Sequence, residues 1–167
     1  MTGKVLVLAT AIGLGFVASA AAQDRPPRGV VEAGGGYAAF VDDAPIQHGV
    51  VQGSGRIFLT PRVAVGPEFT YMRGPGADRD WFLTGNATID LVSPARPILL
   101  RPYVVAGAGV THMTTGVGTG KYSSGEGTFT AGGGARIAAG NRWYVAPELR
   151  VGWELHWRAT VTVGRGF

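Results

Sequence analysis

The fold is decided by the segment WYVAPELRVGWEL, which occupies residues 143–155. One face of this segment carries only apolar residues: Trp143, Val145, Pro147, Leu149, Val151, Trp153 and Leu155. The other face carries Tyr144, Ala146, Glu148, Arg150, Gly152 and Glu154. Because successive side chains of a strand point to opposite sides, this alternation predicts a β-strand with one apolar and one polar face.

Seven further segments show the same period of two, more weakly where glycines dilute it. They occupy residues 30–40, 49–59, 62–73, 81–92, 98–114, 128–139 and 157–167. No segment sustains the 3.6-residue apolar period of an amphipathic helix. We therefore predict an all-β chain, arranged as a single eight-stranded antiparallel up-and-down β-barrel.

The composition excludes several classes of protein. The 167 residues suffice for about one domain. The chain has no cysteine, which excludes a disulfide scaffold, a cysteine zinc site, a thiol nucleophile and a lipid-modified N-terminal cysteine. A hydrophobic content of 46% argues against disorder. The arginines are scattered rather than clustered, so we expect no nucleic-acid partner.

The N-terminus has the pattern of a secretory signal peptide. Lys4 precedes an apolar run at 5–17 and a series of small residues that ends at Ala22. We expect cleavage after Ala22. This divides the chain into a signal peptide at 1–22, a periplasmic lead-in at 23–29 and a barrel domain at 30–167. An uncleaved membrane anchor is the alternative, against which the shortness of the apolar run argues.

The polar faces of the predicted strands carry balanced charges. They hold Glu32, Glu68, Asp90, Glu148 and Glu154 together with Arg56, Arg101, Arg136, Arg150 and Arg158. Because a buried charge needs a partner, we predict that all of these except Glu154 form an ion-pair network that fills the lumen. The apolar faces then point outwards into lipid, as in a transmembrane barrel. A secreted soluble barrel that binds an apolar ligand is the alternative.

Aromatic residues are predicted to form a girdle at each membrane surface. With strands that run alternately up and down, one rim carries Tyr71, Trp81, Phe129, Trp153 and Trp157, and the other carries Trp143 and Phe167. The segment from Trp143 to Trp153 spans ~25 Å at a tilt of ~40°, which matches the apolar band of a membrane barrel.

The predicted connections alternate in length. Short turns are expected at 60–62, 93–97 and 140–142, and longer loops at 41–48, 74–80 and 115–127. The last connection, around His156, is very tight. Short periplasmic turns and longer outer loops are typical of membrane barrels, and an even number of strands places both termini on the periplasmic side.

Three motifs carry a resemblance to a known family. They are RPYVVAGAGV at 101–110, GPEF at 66–69 and VAPELR at 145–150. The chain resembles the small eight-stranded outer-membrane β-barrels, such as the OmpA transmembrane domain and OmpX-like porin-family proteins. The resemblance implies a Gram-negative outer-membrane location, contact with membrane lipid and lipopolysaccharide, and a terminal Phe167 that the barrel-assembly machinery reads. Arg165 departs from the family pattern, which has an apolar residue there.

The expected role is structural or surface-interactive, in a monomer without a cofactor. An eight-stranded barrel has a lumen that side chains can fill, which argues against a wide pore; a narrow channel is the alternative. A lipid-modifying enzyme is the other alternative, but His48, His112 and His156 share one end of the barrel only with Ser123 and Ser124, in a glycine-rich loop.

No close spacing of histidine and aspartate predicts a metal site. At the outer loops, Arg73, Arg79 and Lys121 are candidate contacts for lipopolysaccharide phosphates.

Overall fold

The protein is a closed barrel of eight antiparallel strands. The computed structural model describes residues 27–41, 46–93, 98–117, 120–153 and 155–167. The strands are β1 (Gly29–Phe40), β2 (Ile46–Phe58), β3 (Val63–Arg73), β4 (Arg79–Asp90), β5 (Leu100–Val117), β6 (Gly120–Ala138), β7 (Trp143–Gly152) and β8 (His156–Gly166). The predicted all-β, eight-stranded, up-and-down architecture is therefore confirmed.

The predicted signal peptide lies outside the described residues, as does Glu154. In the part of the chain that is described, no helix is long and apolar enough to cross a membrane.

The first and last strands close the barrel. Val30 pairs with Gly166 at one end of the β1–β8 ladder, and Phe40 pairs with His156 at the other. Beyond the ladder, the Phe167 N–H donates to the Gly29 carbonyl at 3.0 Å. The continuous ladder satisfies the backbone groups that an open sheet edge would leave unpaired, which is the condition for a sheet inside a membrane.

The barrel is apolar outside and polar inside. On β7, Leu149 and Val151 are 56% and 55% exposed, whereas Glu148 and Arg150, which alternate with them, are 7% and 1% exposed. A soluble barrel places its aliphatic side chains in the centre instead. This arrangement is that of a transmembrane barrel.

Inward-facing glycines let neighbouring strands and long side chains approach closely. A Cβ atom at Gly132 would lie 2.1 Å from the Leu149 carbonyl oxygen and 2.8 Å from the Arg150 side chain. A Cβ atom at Gly36 would likewise lie 2.1 Å from the Ala159 carbonyl oxygen. Glycine is therefore required at these points by the tight curvature of a narrow barrel.

The loop predicted over residues 115–127 is wrong. There β5 and β6 continue as a long hairpin, whose register runs from Val110 opposite Gly127 to Val117 opposite Gly120. Its threonine, serine and tyrosine residues favour an extended backbone without apolar alternation. A prediction based on apolar periodicity therefore ends these strands too early.

Two other strand limits differ from the prediction by three residues each. β2 begins at Ile46, three residues before the predicted start, and β7 ends at Gly152 rather than at Leu155.

Candidate functional site

The centre of the barrel is organised around the carboxylate of Glu68, on β3. Arg150 donates from Nη2 to Glu68 Oε2 at 2.8 Å, and Arg158 donates from Nη2 to Glu68 Oε1. Arg56 reaches the same carboxylate from β2, with Nη2 3.5 Å from Oε2. All four side chains are buried. One acid thus connects three arginines from three other strands across the width of the barrel.

A second carboxylate extends this arrangement. Glu148 accepts a bond of 2.6 Å from Arg150 Nε and one of 2.9 Å from the Tyr103 hydroxyl. Arg150 also donates from Nη1 to the Asn86 amide oxygen at 2.9 Å. The Arg150 guanidinium therefore contacts three acceptors, which its planar fork of donors suits.

Glu32 lies closer to the end of the barrel where Gly29 meets Phe167. Arg56 Nη1 is 2.5 Å from Glu32 Oε2. The carboxylate also accepts bonds from Ser54 at 2.9 Å and from the Tyr144 hydroxyl at 2.6 Å. Four groups from β1, β2 and β7 are joined in this way.

Arg136 and Arg101 lie nearest the mouth at this same end. Arg136 donates to Asp90, and its guanidinium lies 4.4 Å from the centre of the Tyr103 ring. Arg101 is half-buried and, with Asp90, lines a cleft of about 420 Å³ that also contains Pro27 and Phe58. Eight of the predicted network residues form direct ion pairs with one another, and Arg101 lies beside Asp90 in this cleft.

Sequence analysis missed the tyrosines and amides in this network. Tyr103, Tyr144 and Asn86 all lie on the polar register of their strands. That register was the available signal: it places Tyr144 on the polar face of residues 143–155 but names no partner for its hydroxyl group. Their hydroxyl groups satisfy carboxylate oxygens that the arginines leave unmatched.

An apolar layer closes the lumen above the ion pairs. Phe40, Val50, Met72 and Phe82 pack together with Ala38 and are all buried. The sequence did not predict this layer, because these residues occupy inward positions close to the strand ends. The inner face thus carries ion pairs in its middle and this apolar layer nearer the end that holds Phe40 and His48.

The predicted girdle residues line the outer surface. Trp81 pairs with Tyr71 across β3 and β4, and the Phe129 and Trp153 rings lie 5.6 Å apart. Trp157 is also exposed on this rim. Tyr71 is half-buried and the other four are exposed.

At the opposite rim, Trp143 and Phe167 are exposed. The Arg165 guanidinium lies 5.5 Å from the Trp143 ring, at cation–π distance. The residue that departs from the family pattern is therefore accommodated by its cross-strand neighbour.

Two groups of titratable side chains lie at the outer end. The Ser123 hydroxyl is 2.8 Å from His112 Nε2, and the His112 ring stacks on Trp81. Separately, His48 Nε2 lies 3.1 Å from Asp78 Oδ2 and 3.5 Å from Asp80 Oδ2. The second group was not found in the sequence because His48 begins β2 whereas the aspartates lie in and after the β3–β4 turn, with Asp78 30 residues from His48.

Fold and interior together define a membrane-type β-barrel whose inner face carries buried ion pairs. No protein-family model and no curated protein sequence matches the chain. Solved structures do match it. Neisserial surface protein A superposes with a TM-score of 0.72 and 11% identity, over 83% of this chain and 97% of that one.

The N-terminal barrel domain of Pseudomonas aeruginosa OprF superposes with a TM-score of 0.68 and 19% sequence identity, over 86% of this chain and 100% of that one. Ail, the attachment invasion locus protein of Yersinia pestis, superposes with a TM-score of 0.59 and 12% sequence identity, over 85% of this chain and 98% of that one. The fold is that of the small eight-stranded outer-membrane barrels, as the sequence motifs predicted.

Proposed function

We propose that the chain is an integral protein of the Gram-negative outer membrane that lacks enzymatic activity and serves envelope structure or surface interaction. The band of exposed aliphatic side chains between two aromatic rims supports the membrane location. The three barrels of like fold are outer-membrane proteins, which agrees with this location. Export through a cleaved signal peptide and recognition of Phe167 by the barrel-assembly machinery belong to the same proposal.

The buried ion pairs across the barrel are the observation that supports a side-chain-filled lumen and a structural role. Glu68 and its three arginines join opposite walls of the barrel, and the Phe82 layer lies above them. A continuous water path would have to break buried ion pairs, which is costly. The barrel therefore acts as a rigid wall element rather than as a channel.

Two measurements test this proposal. The folded barrel should migrate differently on a semi-native gel before and after boiling, and it should fractionate with outer membranes. In planar bilayers it should give no stable conductance steps, with a large porin as the positive control. Regular single-channel steps from the folded monomer would show a narrow channel instead.

Two opposed arginines at the outer rim support binding of lipopolysaccharide. Arg73 and Arg79 are exposed and lie directly opposite each other in the β3–β4 register, next to the Tyr71–Trp81 pair. Like charges in opposed positions destabilise a sheet unless an anion lies between them. A lipid phosphate at headgroup level is such an anion. The side chain of Lys121, the third predicted contact, is outside the described residues.

A structure of Ail with the heparin analogue sucrose octasulfate gives a TM-score of 0.53 and 12% identity, and shows a barrel of this fold with a polyanion. For the present chain, we expect Arg73→Ala with Arg79→Ala to weaken lipopolysaccharide binding. The matched control is Arg28→Ala with Arg62→Ala, which removes two exposed arginines at the periplasmic end. Equal binding by the two double variants would contradict the proposal.

The Ser123–His112 hydrogen bond favours a second candidate, a lipid-modifying enzyme. Such a pair also needs an acid to orient the histidine. Within the described ranges, no acid forms an ion pair with His112. We expect no hydrolysis of a chromogenic ester by the folded protein. Hydrolysis that Ser123→Ala and His112→Ala abolish would establish the enzyme instead.

A further inference from the structure

Three metal-ligating side chains converge at the outer mouth of the barrel. His48 comes from the start of β2, Asp78 from the β3–β4 turn and Asp80 from the start of β4. One ligand atom of each lies within 4.8 Å of the other two. His48 is 1% exposed and Asp80 3%, and the Asp78 side chain is 13% exposed. This set joins a nitrogen donor and two oxygen donors in a nearly dry position.

The hydrogen bonding of His48 determines which ring nitrogen carries the hydrogen in the neutral imidazole. His48 Nδ1 lies 3.1 Å from the Ile46 carbonyl oxygen, which can only accept, so Nδ1 carries the hydrogen. In the neutral ring, Nε2 then presents a lone pair to the two aspartates, which are acceptors as well. Only a cation between them, or a second proton on the ring, makes this contact favourable. A backbone carbonyl on the far ring nitrogen is the usual support of a metal-bound histidine.

The distances suit a small transition-metal ion. Bonds of about 2.1 Å in tetrahedral geometry place neighbouring ligand atoms about 3.4 Å apart. The two observed separations from His48 Nε2, 3.1 and 3.5 Å, lie on either side of this value. Both separations from His48 thus match a tetrahedral site, and the ligand atoms of Asp78 and Asp80 lie within 4.8 Å of each other.

Space beside the ligands is kept by a glycine. A Cβ atom at Gly74 would lie 2.7 Å from His48 Nε2 and 2.7 Å from Asp78 Oδ2. The Gly74 N–H also donates to the Asp78 carbonyl at 3.1 Å, which fixes the turn that presents Asp78. Below the group, the His48 ring packs edge-on against Phe40, so the site rests on the apolar layer.

We propose that His48, Asp78 and Asp80 form a binding site for one Zn²⁺ ion, with water as the fourth ligand. Imidazole nitrogen favours zinc and similar transition metals over calcium and magnesium, which prefer a shell of oxygens. The bound ion ties the β3–β4 turn to β2 and β4. It thereby orders the outer mouth of a barrel whose interior is already filled.

The test is a titration of the folded full chain in detergent micelles, after removal of metals with a chelator. Isothermal calorimetry should give one Zn²⁺ per barrel, and Ca²⁺ should bind far more weakly. Co²⁺ in place of Zn²⁺ should give the intense visible absorption of a four-coordinate site. No binding, or Ca²⁺ binding as tight as Zn²⁺ binding, would overturn the proposal.

Variants identify the ligands. His48→Gln and Asp80→Asn should each weaken binding at least about 100-fold, since loss of even a supporting residue around a metal costs about 10–100-fold. Asp78→Asn, in the turn, should weaken it as well without a change to a strand. Gly74→Ala keeps all three ligands and should reduce affinity about 10-fold by crowding them.

The matched control is His112→Asn. It removes the histidine of β5 that lies opposite Trp81 and is not a proposed ligand. It should bind Zn²⁺ like the original protein. Each variant is used only where the gel shift on boiling shows that it has folded. Binding unchanged in folded Asp78→Asn and His48→Gln, or lost in His112→Asn, would refute the assignment.

Discussion

Replacing Glu68 with glutamine should destabilise the barrel more than the same change at any other acid of the lumen. The amide keeps the size of the side chain but removes the charge that Arg150, Arg158 and Arg56 share. Shape and packing are thus preserved, and the experiment isolates the electrostatic contribution of one carboxylate.

The size of the effect follows from what each arginine retains. Arg56 keeps Glu32 at 2.5 Å and Arg150 keeps Glu148 at 2.6 Å, but among the described residues Arg158 keeps only a hydrogen bond of 2.7 Å to the Thr70 hydroxyl. Arg158 becomes a buried charge without a carboxylate. Removal of one partner from a buried pair costs about 3–5 kcal/mol.

The comparison variant is Glu148→Gln. Arg150 then still contacts Glu68 at 2.8 Å, so no arginine is left without a carboxylate, and the hydrogen bonds from Arg150 and from the Tyr103 hydroxyl are weakened rather than lost. Such a bond contributes about 1.5–3 kcal/mol. Glu68→Gln should therefore lower the free energy of unfolding by clearly more than Glu148→Gln does.

Urea unfolding of the barrel in lipid vesicles, followed by tryptophan fluorescence at constant pH and salt, measures both values. A second comparison combines Glu68→Gln with Arg158→Gln, which removes the unpaired charge and should recover part of the loss. A free energy of unfolding within about 0.5 kcal/mol of the original for Glu68→Gln would refute the reasoning. So would equal losses for Glu68→Gln and Glu148→Gln.

Two further predictions concern closure of the barrel. Gly132→Ala should impair folding, since its Cβ would lie 2.1 Å from a neighbouring carbonyl, whereas Gly55→Ala, with nothing within 4 Å, should fold normally on the gel that compares boiled and unboiled samples. Phe167→Ala should lower the yield of folded barrel in cells, because the Phe167 ring packs over Gly29 beside the strand closure. Arg165→Ala is the control for Phe167→Ala and should change the yield little. Equal folding of Gly132→Ala and Gly55→Ala, or equal yields of Phe167→Ala and Arg165→Ala, would contradict these expectations.

Some features of the site follow from local sequence and others do not. The parity of Glu68, Glu148 and Arg150 within their strands already placed them on the polar face. Which arginine meets which acid was not predictable, because Arg150 and Arg158 lie 82 and 90 residues from Glu68. Such pairings depend on the tilt and stagger of the strands around the barrel.

The sequence by itself determined the number of strands, their up-and-down order and the side that each residue faces. These properties depend on a period of two that every strand displays locally, together with a composition poor in lysine and rich in arginine and glycine. Within its apolar band, a barrel that exposes aliphatic side chains can place arginines only on the inner face, and the exposed arginines lie at the two ends.

Only the tertiary structure decided the partners within the lumen, the apolar layer around Phe82, the long β5–β6 hairpin and the meeting of His48 with Asp78 and Asp80. Each of these depends on distances between strands that are remote in sequence. The physical reason is that closure fixes one register for all eight strands at once, and this register sets the height at which each side chain enters the interior.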